Sequence, residues 1–313
     1  MGYSYAVLGT GAVGGFYGAR LQQAGFEVHF LLRSDYAHVR EFGLKVKSID
    51  GDFNLPQVNA YNSVEMMPSC DVVLLSLKAT HNYLLPQLIP PLLKPDGIVL
   101  VLQNGLYVEE QVASVAKIQH IIAGLCFVCS NKIAPGEINH LHYGKITLIE
   151  YAPGYRRCGV TTRMEQIAKD FTSAGIAIAF AEDLLLERWQ KLLWNIPFNG
   201  LSVVLNANTQ EMLASPEIRQ LVLELMQEVA TAATACGLII PKDLFYERIK
   251  LTEKMKSYRP SMKIDYENHR SLEVEAIFGA PLRIANKVGI HLPRIAMLYR
   301  QLQFLDAQNT LLH

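Results

Sequence analysis

The sequence predicts an α/β fold: a doubly wound sheet in the first part of the chain, then an all-α domain. Three observations predict it. Over the first 182 residues, short apolar runs bounded by turn residues alternate with helix-length segments, as in a mainly parallel sheet with covered faces. A Gly-rich turn, GTGAVG at 9–14, joins the first run to the first helix. From Leu184 the apolar period becomes helical and stays so to the end. The predicted domains are therefore 1–182 and 183–313. No tandem repeat, low-complexity tract or long Pro/Ser-rich linker separates them.

Each element has its own warrant. YAVLG (5–9) reads as a strand, followed by a helix to about Ala24, and FEVHFLL (26–32) as the second strand. GLKVKSIDGDFNLP has two alternating arms about Asp50-Gly51, a hairpin signal. DVVLLSLK (71–78) and IVLVLQNG (98–105) are apolar throughout, as strands buried on both faces must be. HIIAGLCFVCS (120–130) reads as a further buried strand. EINHLHYG and KITLIEY read as two hairpin arms, 161–174 as a helix and IAIAFAE (176–182) as a strand. In the second half, Ser215-Pro216-Glu217 is a helix start and Cys236-Gly237 a helix end.

Composition narrows the function classes. Half of the 313 residues are apolar and 19% are charged, enough for a sizeable core. Lys+Arg and Asp+Glu both number 29, so no global field gathers nucleic acid or an anionic membrane. No uncharged apolar run is long enough to span a bilayer, and the N-terminus lacks the basic region of a signal peptide. Five scattered cysteines, an odd number, point to a reducing, cytoplasmic compartment. Cys126 and Cys129 form CFVC, but no second pair stands at zinc-site spacing, and residues three apart on a strand point to opposite faces. No metal site is expected. His29, His38, His81, His140 and His142 show no ligand spacing and read as loop or strand-surface residues.

The strand–turn–helix beginning at residue 5 carries the first functional signal. Gly9, Gly11 and Gly14 match GxGxxG in the order strand, turn, helix, strand that a Rossmann dinucleotide site demands. The first glycine permits the turn, the second lets backbone approach a pyrophosphate, and the third allows close helix–strand contact. The backbone of Gly11, Ala12, Val13 and Gly14 would offer its N–H groups to the phosphates. At the end of the second strand stands Arg33-Ser34 rather than an acidic residue. An arginine there suits a 2′-phosphate, so NADP(H) is favoured over NAD(H), with Asp35 the residue that speaks against it. Lys78 and Asn104 end two apolar strands, where ligands gather in open α/β sheets and where polar loop starts are also ordinary.

The second signal is RWQKLLWNIPFN at 188–199. Lys191, Asn195 and Asn199 recur every fourth residue, with Glu187 extending the series backwards. Such a stripe on an apolar helix either meets water or lines a cavity. Pro197 within it should cost a backbone hydrogen bond and kink the helix.

These segments resemble the ketopantoate reductase (2-dehydropantoate 2-reductase) family over nearly the whole chain. The resemblance rests on GTGAVGGFYGARLQQAGFEVHFLLR, SLKATH, LQNGLYVEE, RWQKLLWNIPFNGL and RPSMKIDYENHRSLEVEAIFG. It implies a 6-phosphogluconate dehydrogenase-like architecture and NADPH-dependent reduction of ketopantoate to (R)-pantoate, a step toward pantothenate. It further implies that Lys191 is the general acid and that Asn195 and Asn199 hold the substrate's hydroxyl end. Ser261 would bind the carboxylate. Asn104 would lie near both nicotinamide and substrate. Lys78 and Glu273 belong to the ternary complex, Glu273 in the catalytic set and on the cofactor. Asp265 falls on an acidic position of structural character. The chain departs from the family at Cys129-Ser130, where small Gly or Ala residues often line the cofactor and where Ser130 would now stand. It departs again at Thr209, an Asn in some members. These departures leave the substrate open to another 2-oxo acid. A non-catalytic NADP-binding regulator is the reading from a different class. The apolar C-terminal helix LPRIAMLYRQLQFLDAQ suits either a homodimer interface or packing on its own domain.

Overall fold

The structure, a computed structural model, describes residues 2–115, 118–255 and 257–311, the last two as backbone. Ten strands form one sheet: β1 (Tyr5–Leu8), β2 (Val28–Leu31), β3 (Leu44–Ser48), β4 (Phe53–Leu55), β5 (Asn59–Tyr61), β6 (Cys70–Leu75), β7 (Leu93–Val101), β8 (His120–Ala134), β9 (Glu137–Glu150) and β10 (Ile178–Phe180). Their order is β4-β3-β9-β8-β7-β6-β1-β2-β5, with β10 also on β9. From β5 to β8 every neighbouring pair is parallel. The order reverses at β1, between β2 and β6, which is the switch point where open α/β sheets bind ligands. All four residues of β1 and the last four of β6 are buried, which explains their unbroken apolar sequence.

The hairpin expected within 137–151 resolves differently. EINHLHYG and KITLIEY are one strand, β9, and the hairpin is β8 with β9, turning at Pro135-Gly136. Gly144, with φ +125°, is the extra residue of a bulge opposite Phe127/Val128. A bulge breaks the alternation locally without ending the strand, and the glycine there mimics a turn signal. His29 and His140 are buried, not on the surface. His29 lies between Glu27 and Tyr61, and His140 stacks on Phe16 with ring centroids 4.3 Å apart. A partner at each ring nitrogen permits the burial: for His140 these are the Ser48 hydroxyl and the Tyr143 carbonyl.

The helices are α1 (Ala12–Gln23), α2 (Tyr36–Phe42), α3 (Leu85–Leu88), α4 (Val108–Ala113), α5 (Thr162–Ser173), α6 (Leu184–Trp194), α7 (Gly200–Val204), α8 (Thr209–Ala214), α9 (Pro216–Ala235), α10 (Asp243–Glu253), α11 (Ser261–Glu267), α12 (Ala280–Lys287) and α13 (Pro293–Leu311). Contacts divide the chain into two compact units, Met1–Gln103 with Val108–Leu184 and Asn104–Tyr107 with Leu185–His313. The first contains the sheet. In the second, α9 is the central helix. Its Val222, Leu225, Met226, Val229, Ala232 and Ala233 are buried together with Trp189, Phe198, Phe278 and Leu298. The Ser215 hydroxyl caps α9 through the Ile218 N–H at 3.3 Å, and Asn208 with Glu211 forms a capping box on α8.

Two π-helical turns stand out in this unit. Residues 184–204 run as α6, a π turn at Asn195–Asn199 and α7, so Pro197 does not end the helix. Proline supplies no N–H to an i→i−4 ladder, and the wider i→i+5 turn carries the helix past it. The second π turn, Glu275–Gly279, follows directly on Glu273-Val274 and leads into α12, which has Pro281 in its first turn. The two π turns pack against each other, and α11 packs against the first.

Candidate active site

In the first unit the Gly-rich turn has the form a dinucleotide site requires. Gly9 has φ +105°, and a Cβ there would sit 2.6 Å from the Leu77 backbone nitrogen. Only glycine allows both the conformation and the approach. A Cβ on Gly14 would meet Ser76 Oγ, whereas one on Gly11 would meet nothing within 4 Å. The missing side chain of Gly11 thus leaves an open cradle beside the start of α1. That helix has no side-chain N-cap and no acidic residue in its first turn, so the N–H groups of Ala12, Val13 and Gly14 face an unopposed positive end. Ser130 Oγ donates to the Ala12 carbonyl at 3.1 Å, tying β8 to the first turn of α1. These features fit a pyrophosphate.

Arg33 and Ser34 are exposed just past β2. Asp35 is buried, and its carboxylate accepts from Lys132 Nζ at 2.6 Å, from the Gly136 N–H at 3.2 Å and from Ser34 Oγ at 3.0 Å. Burial works against ionising Asp35, but the Lys132 ammonium and the Gly136 and Ser34 bonds outweigh it and hold the carboxyl below its usual range. The acid that spoke for NAD is therefore committed to the β8–β9 hairpin. The Ser34 hydroxyl donates to the same carboxylate, while Arg33 stands exposed past the strand. Lys78 lies three residues past the end of β6, where it begins a 3-10 turn. His81 on that turn has its pKa lowered, first by burial and then by the Arg33 and Lys78 charges.

The ion pair gives a stability prediction. A carboxyl whose pKa is depressed by folding stabilises above its unfolded pKa, and that contribution is lost as pH falls through the folded value. Asp35→Asn should cost about 1–3 kcal/mol at neutral pH. In chemical denaturation the gap from wild type should close below about pH 4. A constant gap down to acid pH would show that the carboxylate's charge is not what stabilises.

In the second unit the stripe of 187–199 is no solvated face. Glu187 and Lys191 are half-buried, and Asn195 and Asn199 are buried. Asn199 Oδ1 accepts from the Met262 N–H at 3.2 Å and from Ser261 Oγ at 3.4 Å, joining the first π turn to the start of α11. Asn195 Nδ2 is buried without a hydrogen-bond partner among the described residues. A buried donor left unpaired costs about 1–3 kcal/mol, so Asn195 Nδ2 is a donor available to a bound ligand. Trp194 stacks on Phe198 at 5.2 Å and donates to Thr252 Oγ1 at 2.9 Å, which fixes the helix beside Lys191.

Asn104 begins a four-residue segment that docks on the second π turn. Leu106 N–H donates to the Ala276 carbonyl at 3.0 Å. Gly105, with φ +104°, lies so close that a Cβ would be 2.6 Å from Ala276. This brings Asn104 to the stretch that Glu273 opens. Asn104, Asn195, Asn199 and Ser261 thus stand on elements that touch within one unit, the 104–107 segment, the two π turns and α11, with Lys191 on α6 one turn before the first π turn and Glu273 two residues before the second. Gly9, Gly11, Ala12, Val13, Gly14, Arg33, Lys78 and Ser130 stand in the other.

Two family models match: Ketopantoate reductase PanE/ApbA over residues 5–153, and its C-terminal counterpart over 183–306. The chain belongs to the ketopantoate reductase family. A 2-dehydropantoate 2-reductase of Nostoc sp. is 60% identical over 305 residues, 97% of this chain and 96% of the relative. Among solved structures, the 2-dehydropantoate 2-reductase of Geobacter metallireducens GS-15 superposes with a TM-score of 0.92 at 42% identity, covering 96% of this chain and 99% of that one. D-Mandelate dehydrogenase with NADH and anilino(oxo)acetate shares the fold, with a TM-score of 0.87 at 23% identity over 98% and 99% of the two chains.

For a ketopantoate reductase the departure at Thr209 has a plain cause. Thr209 is fully buried, and both its N–H and its hydroxyl donate to the Tyr258 carbonyl, at 3.0 and 3.2 Å. It braces the segment leading to Ser261. Sequence reasoning did not find Gln103, Lys132, Lys263 or the π turns. Lys263 is buried, donates to Asn206 Oδ1 and lies 3.4 Å from Glu267, pinning α11 to the chain just after α7. The only signals were Pro197 and Pro281, each in or just after a π turn.

Proposed function

We propose that this chain reduces 2-dehydropantoate to (R)-pantoate with NADPH, a step toward pantothenate and coenzyme A. The first unit holds the cofactor on Gly9, Gly11, Ala12, Val13, Gly14, Arg33, Lys78 and Ser130, and the second holds the 2-oxo acid. The observation that carries this reading is the unpaired, buried Asn195 Nδ2 four residues from Lys191 on a half-buried helix face. The nicotinamide supplies the hydride. Lys191 does the rest of the chemistry at the carbonyl oxygen: its ammonium stabilises the developing negative charge and delivers the proton that completes the alcohol. Asn195 donates to the substrate's hydroxyl end. Asn199 orients Ser261, whose hydroxyl takes the carboxylate. Asn104 and Glu273 align cofactor and substrate.

No described helix is long and apolar enough to cross a membrane, and the five cysteines are free thiols, which supports a reducing, cytoplasmic setting. Loss of NADPH absorbance with a panel of 2-oxo acids tests the proposal. Ketopantoate should give the highest kcat/KM. A better branched or aromatic 2-oxo acid would reassign the substrate, and no turnover with any would favour the regulatory reading.

A further inference from the structure

The LQNG stretch contains a residue that the proposed chemistry leaves unused. Gln103 is 3% exposed. Its Nε2 donates to the Leu77 carbonyl at 2.8 Å and to Asn82 Oδ1 at 2.6 Å. Asn82 in turn donates to Gln111 Oε1 at 2.6 Å. The bend that Gln103 grips, 76–78, is the floor of the Gly-rich turn. Ser76 Oγ donates to the Gly9 carbonyl at 2.8 Å, and the missing Cβ atoms of Gly9 and Gly14 are what let Leu77 and Ser76 approach. The same bend ends at Lys78, whose carbonyl accepts from the His81 N–H at 2.9 Å and starts the 3-10 turn. One amide therefore spans the ends of β6 and β7 and supports, from below, both the phosphate turn and Lys78.

We infer that Gln103 is a positioning residue for cofactor binding: its side-chain amide fixes the 76–78 bend against the Gly-rich turn and aims Lys78, without touching substrate or cofactor itself. The inference rests on the reading of that turn as an NADP(H) site. A neutral residue is suited to the task. A glutamate would set a carboxylate against two acceptor oxygens, and a shorter amide would not span both.

Gln103→Leu keeps the volume and removes both bonds. Fluorescence titration with NADPH should show Kd raised about tenfold, the worth of one to two neutral hydrogen bonds. Saturating NADPH should restore kcat and the KM for the 2-oxo acid to within about twofold of wild type. A Lys78→Ala background separates positioning from general loosening. If Gln103 acts by aiming Lys78, the same substitution there should cost less than about threefold, because the two effects are coupled. An unchanged Kd, or an equal penalty in both backgrounds, overturns the inference. Should Gln103→Leu fold poorly, Asn82→Ala removes one of the two acceptors at a half-buried position. It should raise Kd at least about twofold, and an unchanged value again overturns the inference. Wild-type protein that binds no NADPH would instead overturn the cofactor reading beneath it.

Discussion

Lys191→Ala should lower kcat by about two to four orders of magnitude, the range over which a positioned acid and an oxyanion partner act. NADPH affinity should stay within about twofold of wild type, because every residue assigned to the phosphates belongs to the other unit. The two parts of the expectation separate chemistry from binding. A residue needed only to hold the 2-oxo acid would raise KM and spare kcat. Lys191→Arg sharpens the test: guanidinium keeps the charge but is too weak an acid to give up its proton near neutral pH. It should recover less than about a tenth of the lost rate if proton delivery dominates, and most of it if charge alone does. Wild-type turnover in the alanine variant would remove Lys191 from the mechanism. Neutral Gln at 191 offers a third point, keeping a hydrogen-bond donor without charge.

Much of this arrangement was legible in the residues, for identifiable reasons. The parallel strands are apolar on both faces, so their sequences announce burial, and the glycines at 9 and 14 are required by contacts no other residue permits. The Lys191 stripe was visible as a period, but its meaning was not. Periodicity tells which residues share a face, and only packing tells what that face meets; here Asn195 and Asn199 are buried. The split of β9 into two arms failed because a bulge glycine and a turn glycine look alike in sequence. The assignment of His29 and His140 to the surface failed because an imidazole with a partner at each ring nitrogen is as readily buried as exposed. The π turns had no periodic signature, since each is one wide turn inside a helix. Long-range partners such as Asp35 with Lys132 are 97 residues apart, and no local pattern encodes them.

Arg33→Ala should raise the Kd for NADPH by about tenfold to a hundredfold, since a hydrogen bond to a charged group contributes about 1.5–3 kcal/mol. The Kd for NADH, which lacks the 2′-phosphate, should change less than about twofold. The asymmetry between the two dinucleotides is the decisive quantity, because general damage to the Gly-rich turn would weaken both alike. Asp35 makes the prediction sharper. Held by Lys132 and the Gly136 N–H, it is not placed to take over as a ribose acceptor once the arginine is gone, so the variant should lose NADPH without gaining NADH. Salt offers an independent check. Arg33 is exposed, so its attraction for the phosphate is screened, and wild-type Kd for NADPH should rise with ionic strength more steeply than that of the variant. The unliganded protein offers another. The Arg33 charge is one of the groups depressing the pKa of His81, so removing it should move the His81 titration upward in an NMR experiment with no cofactor present. A rise in Kd shared equally by NADPH and NADH, with His81 unmoved, would place Arg33 outside the phosphate site and return the choice of cofactor to the remaining basic groups at 78 and 81.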